Sequence, residues 1–160
     1  RLTMVNFLKE NKMSVELDEN KLLINTLTDL AYGKDYYLKS RSKYNPSGNI
    51  VKDDPKFFFH TEFGIDQSIT IDLGKIYQLN YLVIKNRTDL CQNRARLLFF
   101  VIHNEIKYSK QEALPIVITD KFLAPNGPKS ITSLFGKKGR NLTIFSPIYT
   151  ALHFSSIKVL

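Results

Sequence analysis

Three side chains of this 160-residue chain stand out for the chemistry they could perform together: His60, Arg87 and Arg94, with Asp89 between the two arginines. Twenty-six residues separate His60 from Arg87, one separates Arg87 from Asp89, and four separate Asp89 from Arg94. A guanidinium is a planar fork of donors that can span vicinal hydroxyls, and a carboxylate two residues away can accept from it and fix its direction. A fork oriented before the ligand arrives loses less entropy on binding. The set therefore suits a small, neutral, hydroxyl-rich ligand. It suits catalysis poorly: Glu62 lies near His60, but no nucleophile or second carboxylate is placed beside them, so no catalytic residue is assigned.

The elements that must position these groups read as strands. Ile69-Thr70-Ile71-Asp72-Leu73 alternates apolar and polar residues and is punctuated by Gly74-Lys75, which predicts a half-buried strand ending in a turn. Tyr81 to Lys85 and Leu97 to Ile102 are two more apolar strands, and the arginine-rich segment Asn86 to Arg96 is the loop between them. Loops on a rigid scaffold commonly carry binding residues. His103-Asn104 then predicts a tight turn into a fourth strand over 105–108. Leu114 to Thr119 continues the series with Pro115 at its start, Ala124 to Pro128 reads as a loop, and strands near 141–145 and 152–159 finish the chain. Short strands without helical periods between them predict an all-β antiparallel sandwich.

Residues 1–24 mix apolar positions with Lys, Glu and Asn and are read as an N-terminal extension or linker; 25–160 are read as one domain. That length buries roughly two-thirds of the surface exposed by the unfolded chain, enough for a self-sufficient core. No apolar run approaches the roughly 20 residues of a membrane-spanning helix, and residues 1–24 lack the order of a signal peptide. A lone cysteine, Cys91, excludes an internal disulfide framework. The net charge of +8 favours anionic partners, yet the basic residues are scattered. The one tight cluster, Lys137, Lys138 and Arg140, is read as a solvated loop without the stacking aromatics of a single-strand binder, so no nucleic-acid partner is expected.

The spacing His60, twenty-six residues, Arg87-x-Asp89, four residues, Arg94 resembles the signature of the fucose-binding F-type lectins. Leu30 to Lys34, Ser40 to Tyr44, Phe59 to Glu62, Ile71 to Lys75, Asn86-Arg87 and Ala151 to Phe154 resemble landmarks of the wider discoidin, or coagulation factor five/eight type C, family. This resemblance covers roughly residues 25–160 and implies a discoidin-like, galactose-binding-like β-sandwich. It implies that His60, Arg87 and Arg94 hydrogen-bond a fucose while Leu90 and Cys91, at positions where the family often has a cysteine pair, touch its apolar face. With Leu90 in place of one cysteine, a vicinal disulfide is impossible. The implied function is a non-catalytic carbohydrate-binding, lectin-like module for fucose or a related sugar. The alternative is an accessory domain of a larger glycan-processing, for instance capsule-related, enzyme, or an adhesion domain binding protein or lipid headgroups. The resembling lectins are mostly extracellular; the sequence itself assigns no compartment.

Two departures from the resemblance carry expectations. The family places Pro-Trp-Trp before the Asp-Leu-Gly strand, whereas this chain has Asp66-Gln67-Ser68-Ile69 and no tryptophan, so Phe57, Phe58, Phe59 and Phe63 are expected to fill the core instead. Related domains hold a structural calcium partly through an acidic residue in the last strand. Here Ser155 and Ser156 stand there, and calcium requires six to eight oxygens, several of them charged. Asp53 and Asp54 are not expected to make up the loss, so no metal and no cofactor are assigned. Asn86-Arg87-Thr88 and Asn141-Leu142-Thr143 have the form of glycosylation sequons, but a glycan on Asn86 would crowd the proposed site.

Overall fold

A computed structural model describes residues 27–43 and 58–160; the extension read over 1–24, Asp53 and Asp54 lie outside these. Six strands lie among the described residues: β1 (Asp35–Leu38), β2 (Gln67–Asn86), β3 (Phe99–His103), β4 (Leu114–Pro115), β5 (Ser130–Ser146) and β6 (Phe154–Val159). The described strand pairs are all antiparallel, in the order β1-β2-β5-β3-β4, with β6 joined to β2.

The two long strands organise everything else. The first half of β2 pairs with β1 and with the end of β5, Ile69 opposite Ile144 and Ile71 opposite Leu142. Its second half pairs with the start of β5 and with β6, Ile84 opposite both Ser130 and Ile157. Side chains of a strand alternate between faces, so a change of parity marks a change of face. The residues that β2 gives to the central hydrophobic cluster are Ile69, Ile71, Leu73 and Leu79, then Leu82 and Ile84. The switch from odd to even coincides with the register break between Leu79 and Tyr81, where Phe135 and Gly136 of β5 take positive φ. Both halves feed one buried cluster with Phe100, Ile102, Leu142, Ile144, Ile157 and Val159, so the sheet folds over a shared core.

The predicted turn at Gly74-Lys75 is instead a bulge inside β2. The register shifts between Asp72 and Tyr77, Gly74 adopts φ 88°, and the strand runs on. Three other expectations also change. Residues 105–108 form no strand: they loop back, and Tyr108 packs its ring against Phe145 and His103. The strand over 114–119 shortens to β4, because Val117 is taken up by side chains, its N–H donating to Thr132 Oγ1 and its carbonyl accepting from Ser130 Oγ. A one-turn helix, α1 (Asp120–Leu123), follows, capped by Thr119 Oγ1 accepting from the Phe122 N–H. The Lys137, Lys138, Arg140 cluster lies on β5 rather than on a loop, and Arg140 is bound by Asp72.

Leu160 and the segment before His60 are tied to the sheet. The Leu160 N–H donates to the Tyr81 carbonyl, while its own carbonyl accepts from Asn80 and Tyr81. Phe59 meets Phe154 edge-on at 5.2 Å and anchors the segment that carries His60 to the core.

Candidate functional site

Two segments and one loop converge at one end of the fold. Residues 60–64 run beside 150–152. Thr61 donates its N–H to the Leu152 carbonyl and accepts from the Leu152 N–H at Oγ1, while Gly64 and Thr150 exchange two backbone bonds of 3.1 Å. Ser42 donates to the His60 carbonyl, and Ser40 Oγ accepts from the Glu62 N–H, which draws residues 40–43 to the same rim. His60 is thus mounted on backbone held from two sides.

The arginine loop is stapled by Asn86. Its Oδ1 accepts from the Arg87 N–H at 2.8 Å and its Nδ2 donates to the Gln92 carbonyl at 3.0 Å. Cys91 then turns the chain with φ 61°, opening a 3-10 turn over Gln92–Ala95 that projects Arg94 while Ala95 and Leu98 plug into the core. Both sequon asparagines are buried, with Asn141 Nδ2 donating to the Asn104 carbonyl, so neither side chain is presented for glycosylation in this fold.

His60, Arg87, Leu90 and Arg94 line one open cavity of about 700 Å³, together with Phe58, Phe63, Thr61, Glu62, Ser42 and Lys43. That volume lies inside the roughly 300–1,000 Å³ of small-molecule sites. Leu90 is 51% exposed and supplies an apolar wall. Asp89 stands behind Arg87 and accepts from its Nε and, at 2.9 Å, from a terminal nitrogen. These bonds hold the Asp89 carboxyl down at about 2. A guanidinium has five N–H donors, so two spent on Asp89 leave three for other partners. Cys91 is half-buried and is not among the residues lining the cavity.

Two aromatic residues complete the arrangement. The Arg87 guanidinium lies over the Phe58 ring at 4.1 Å, and that of Arg94 over Phe63 at 4.6 Å. The expectation that Phe58 and Phe63 fill the core is therefore corrected: Phe59 does so, while its neighbours carry the arginines, and Phe57 lies outside the described residues. The run Phe57-Phe58-Phe59 held the signal, since adjacent side chains of an extended chain cannot all face inward.

The electrostatics keep the imidazoles neutral. Burial, followed by the charges of Arg87 and Arg94, lowers the pKa of His60, outweighing the opposing bond to the Thr61 carbonyl. Because a carbonyl only accepts, His60 Nδ1 carries the proton in that 2.6 Å bond, and Nε2 is the acceptor of the neutral ring. His153, 1% exposed, lies behind it with ring centroids 5.3 Å apart. Burial first, then the charge of Arg87, lowers its pKa to about 3.

No group of three or more histidine, cysteine or acidic side chains among the described residues could hold a metal. Ser155 and Ser156 of β6 are buried hydroxyls, a donor set that does not fit calcium. No helix among the described residues is long and apolar enough to cross a membrane.

No protein-family model matches the chain, and no curated protein matches it. Solved structures do. The lectin domain of lectinolysin, complexed with Lewis B antigen, superimposes with a TM-score of 0.71 at 18% identity, over 83% of this chain and 96% of that one. This fold is the discoidin-like, galactose-binding-like β-sandwich. A fucose-binding module from Streptococcus pneumoniae shares it at TM-score 0.68 and 14% identity, over 83% and 94% of the two chains. So does a CBM32 domain from Clostridium perfringens in complex with GalNAc-β-1,3-galactose, at TM-score 0.65 and 13% identity, over 83% and 99%. Solved structures of this fold thus include modules that bind different sugars.

Proposed function

We propose that this chain is a non-catalytic carbohydrate-binding module that takes fucose or a related sugar into the cavity lined by His60, Arg87 and Arg94. The observation that carries this reading is convergence: side chains from two distant segments meet at one cavity, and each guanidinium is already seated on an aromatic ring. Arg87 and Arg94 donate to adjacent hydroxyls, His60 offers Nε2 as acceptor, and Leu90 packs on the sugar's apolar face. Cys91 supports the Leu90 loop through its turn. Recognition of this kind needs no proton to move.

One small open site binds weakly, so useful avidity comes from several copies or from tethering to a larger protein. The solved lectinolysin structure is that of a lectin domain, and this chain covers 96% of it, which favours a tethered role. Binding of a protein or lipid headgroup is the competing adhesion reading. A glycan array on the protein and its Arg87→Ala variant separates the two. Fucose-dependent signal that the substitution abolishes is the expected result; signal that survives it rejects the site, and retention on liposomes without any glycan signal rejects the sugar.

A further inference from the structure

An aromatic pair beside the cavity takes no part in the contacts assigned to the sugar so far. The Phe63 ring stacks on that of Tyr149 with centroids 6.2 Å apart and planes 26° from parallel. Neither ring belongs to the core: Phe63 is 51% exposed and Tyr149 69%. Single exposed aromatics are common on protein surfaces, but a stacked pair set on a fixed base is a different matter. The base is fixed here because the Gly64–Thr150 bridge, one residue beyond each ring, ties the two segments together.

The pair is also continuous with the cavity. Phe63 lines it, and the Arg94 guanidinium lies over the Phe63 ring. Arg94, Phe63 and Tyr149 therefore form a series that leads from the polar cavity outward to an apolar platform. Exposed Ile65 extends the apolar surface of the same segment. A flat, rigid ring surface is complementary to the C–H face of a pyranose, and an aromatic ring gives contact area at little entropic cost.

We propose that Tyr149, backed by the Phe63 ring, forms a second subsite, which stacks the sugar ring linked to the one held in the cavity, so that the preferred ligand is an oligosaccharide. This rests on the sugar-binding reading of the cavity. The geometry divides the work: the cavity fixes the terminal sugar by hydrogen bonds, and the platform reads the adjoining sugar by apolar contact.

Titration calorimetry with fucose and with the Lewis b oligosaccharide tests it, on the protein and on Tyr149→Ala and Tyr149→Phe. The unmodified protein should bind Lewis b about fivefold more tightly than fucose, the size expected of one aromatic contact. Tyr149→Ala should abolish that preference while fucose affinity changes less than about twofold, and Tyr149→Phe should keep it, because the ring is retained. Equal affinity for both ligands in the unmodified protein overturns the subsite while leaving the cavity reading intact. So does a Tyr149→Ala protein that weakens both ligands alike, which would make the ring a mere support for Arg94, or one that changes neither. An unmodified protein that binds neither sugar overturns the reading beneath, and the subsite with it.

Discussion

Arg87 and Arg94 line the same cavity, yet Arg87 is gripped by two hydrogen bonds from its guanidinium to Asp89 and lies over Phe58, whereas Arg94 has the face of Phe63 and no ion pair among the described residues. The Arg87 side chain is 11% exposed, and a cation so deeply set needs a counter-charge to offset its desolvation, while Asp89, at 51%, keeps its outer side in water. Arg94, also half-buried, sits on the short turn over Gln92–Ala95. One half of the site is thus preorganised by charge and stacking, the other by stacking alone.

The largest effect should come from deleting the gripped arginine. Arg87→Ala removes charge-assisted bonds to the ligand and leaves Asp89 unpaired, which should weaken fucose binding by about 2–3 kcal/mol, or roughly 30- to 150-fold by calorimetry. Asp89→Ala tests the grip itself: Arg87 stays but is no longer aimed, and affinity should fall by roughly tenfold or less, about 1 kcal/mol. If Asp89→Ala matched Arg87→Ala, the carboxylate would be contacting the sugar rather than aiming the arginine.

The buried histidines behind the arginines give a pH signature of stability. Both have pKa values below the ordinary 6.5, His153 down to about 3. Between those limits the unfolded chain binds protons that the folded one refuses, so stability rises with pH through this window and is lost on acidification from 6.5 toward 3. Each such histidine contributes at most about 1.4 kcal/mol per pH unit. His153→Phe should flatten the fall in melting temperature between pH 6.5 and 4, and an unaltered slope would show that His153 takes no part. The smallest effect belongs to Arg140→Ala. That arginine makes the same two-bond pairing, with Asp72, but on exposed strand surface, and its loss should leave fucose affinity unchanged.

How much of this was legible beforehand depended on whether the signal was local. The antiparallel sandwich was readable because Ile69, Ile71 and Leu73 alternate and Tyr81 to Ile84 form a dense apolar run. Their union in one strand was not, because a bulge at Gly74 looks like a turn when the partner strand is unknown. β1 was missed since Asp35-Tyr36-Tyr37-Leu38 is an edge strand whose residues are exposed or half-buried. For the candidate site, spacing pointed to His60, Arg87 and Arg94 and the family resemblance added Leu90, and the fold brings these four to one cavity. Their supports were hidden: Phe58 and Phe63 read as core, Tyr149 carried no motif, and His153 comes beside His60 only through the pairing of 60–64 with 150–152.

A crystal soaked with fucose tests the central claim most directly. The sugar should lie between Arg87 and Arg94, with a hydroxyl within hydrogen-bonding distance of His60 Nε2 and its apolar face on Leu90. Fucose seated elsewhere on the sandwich, or a cavity left empty at saturating sugar, would contradict it.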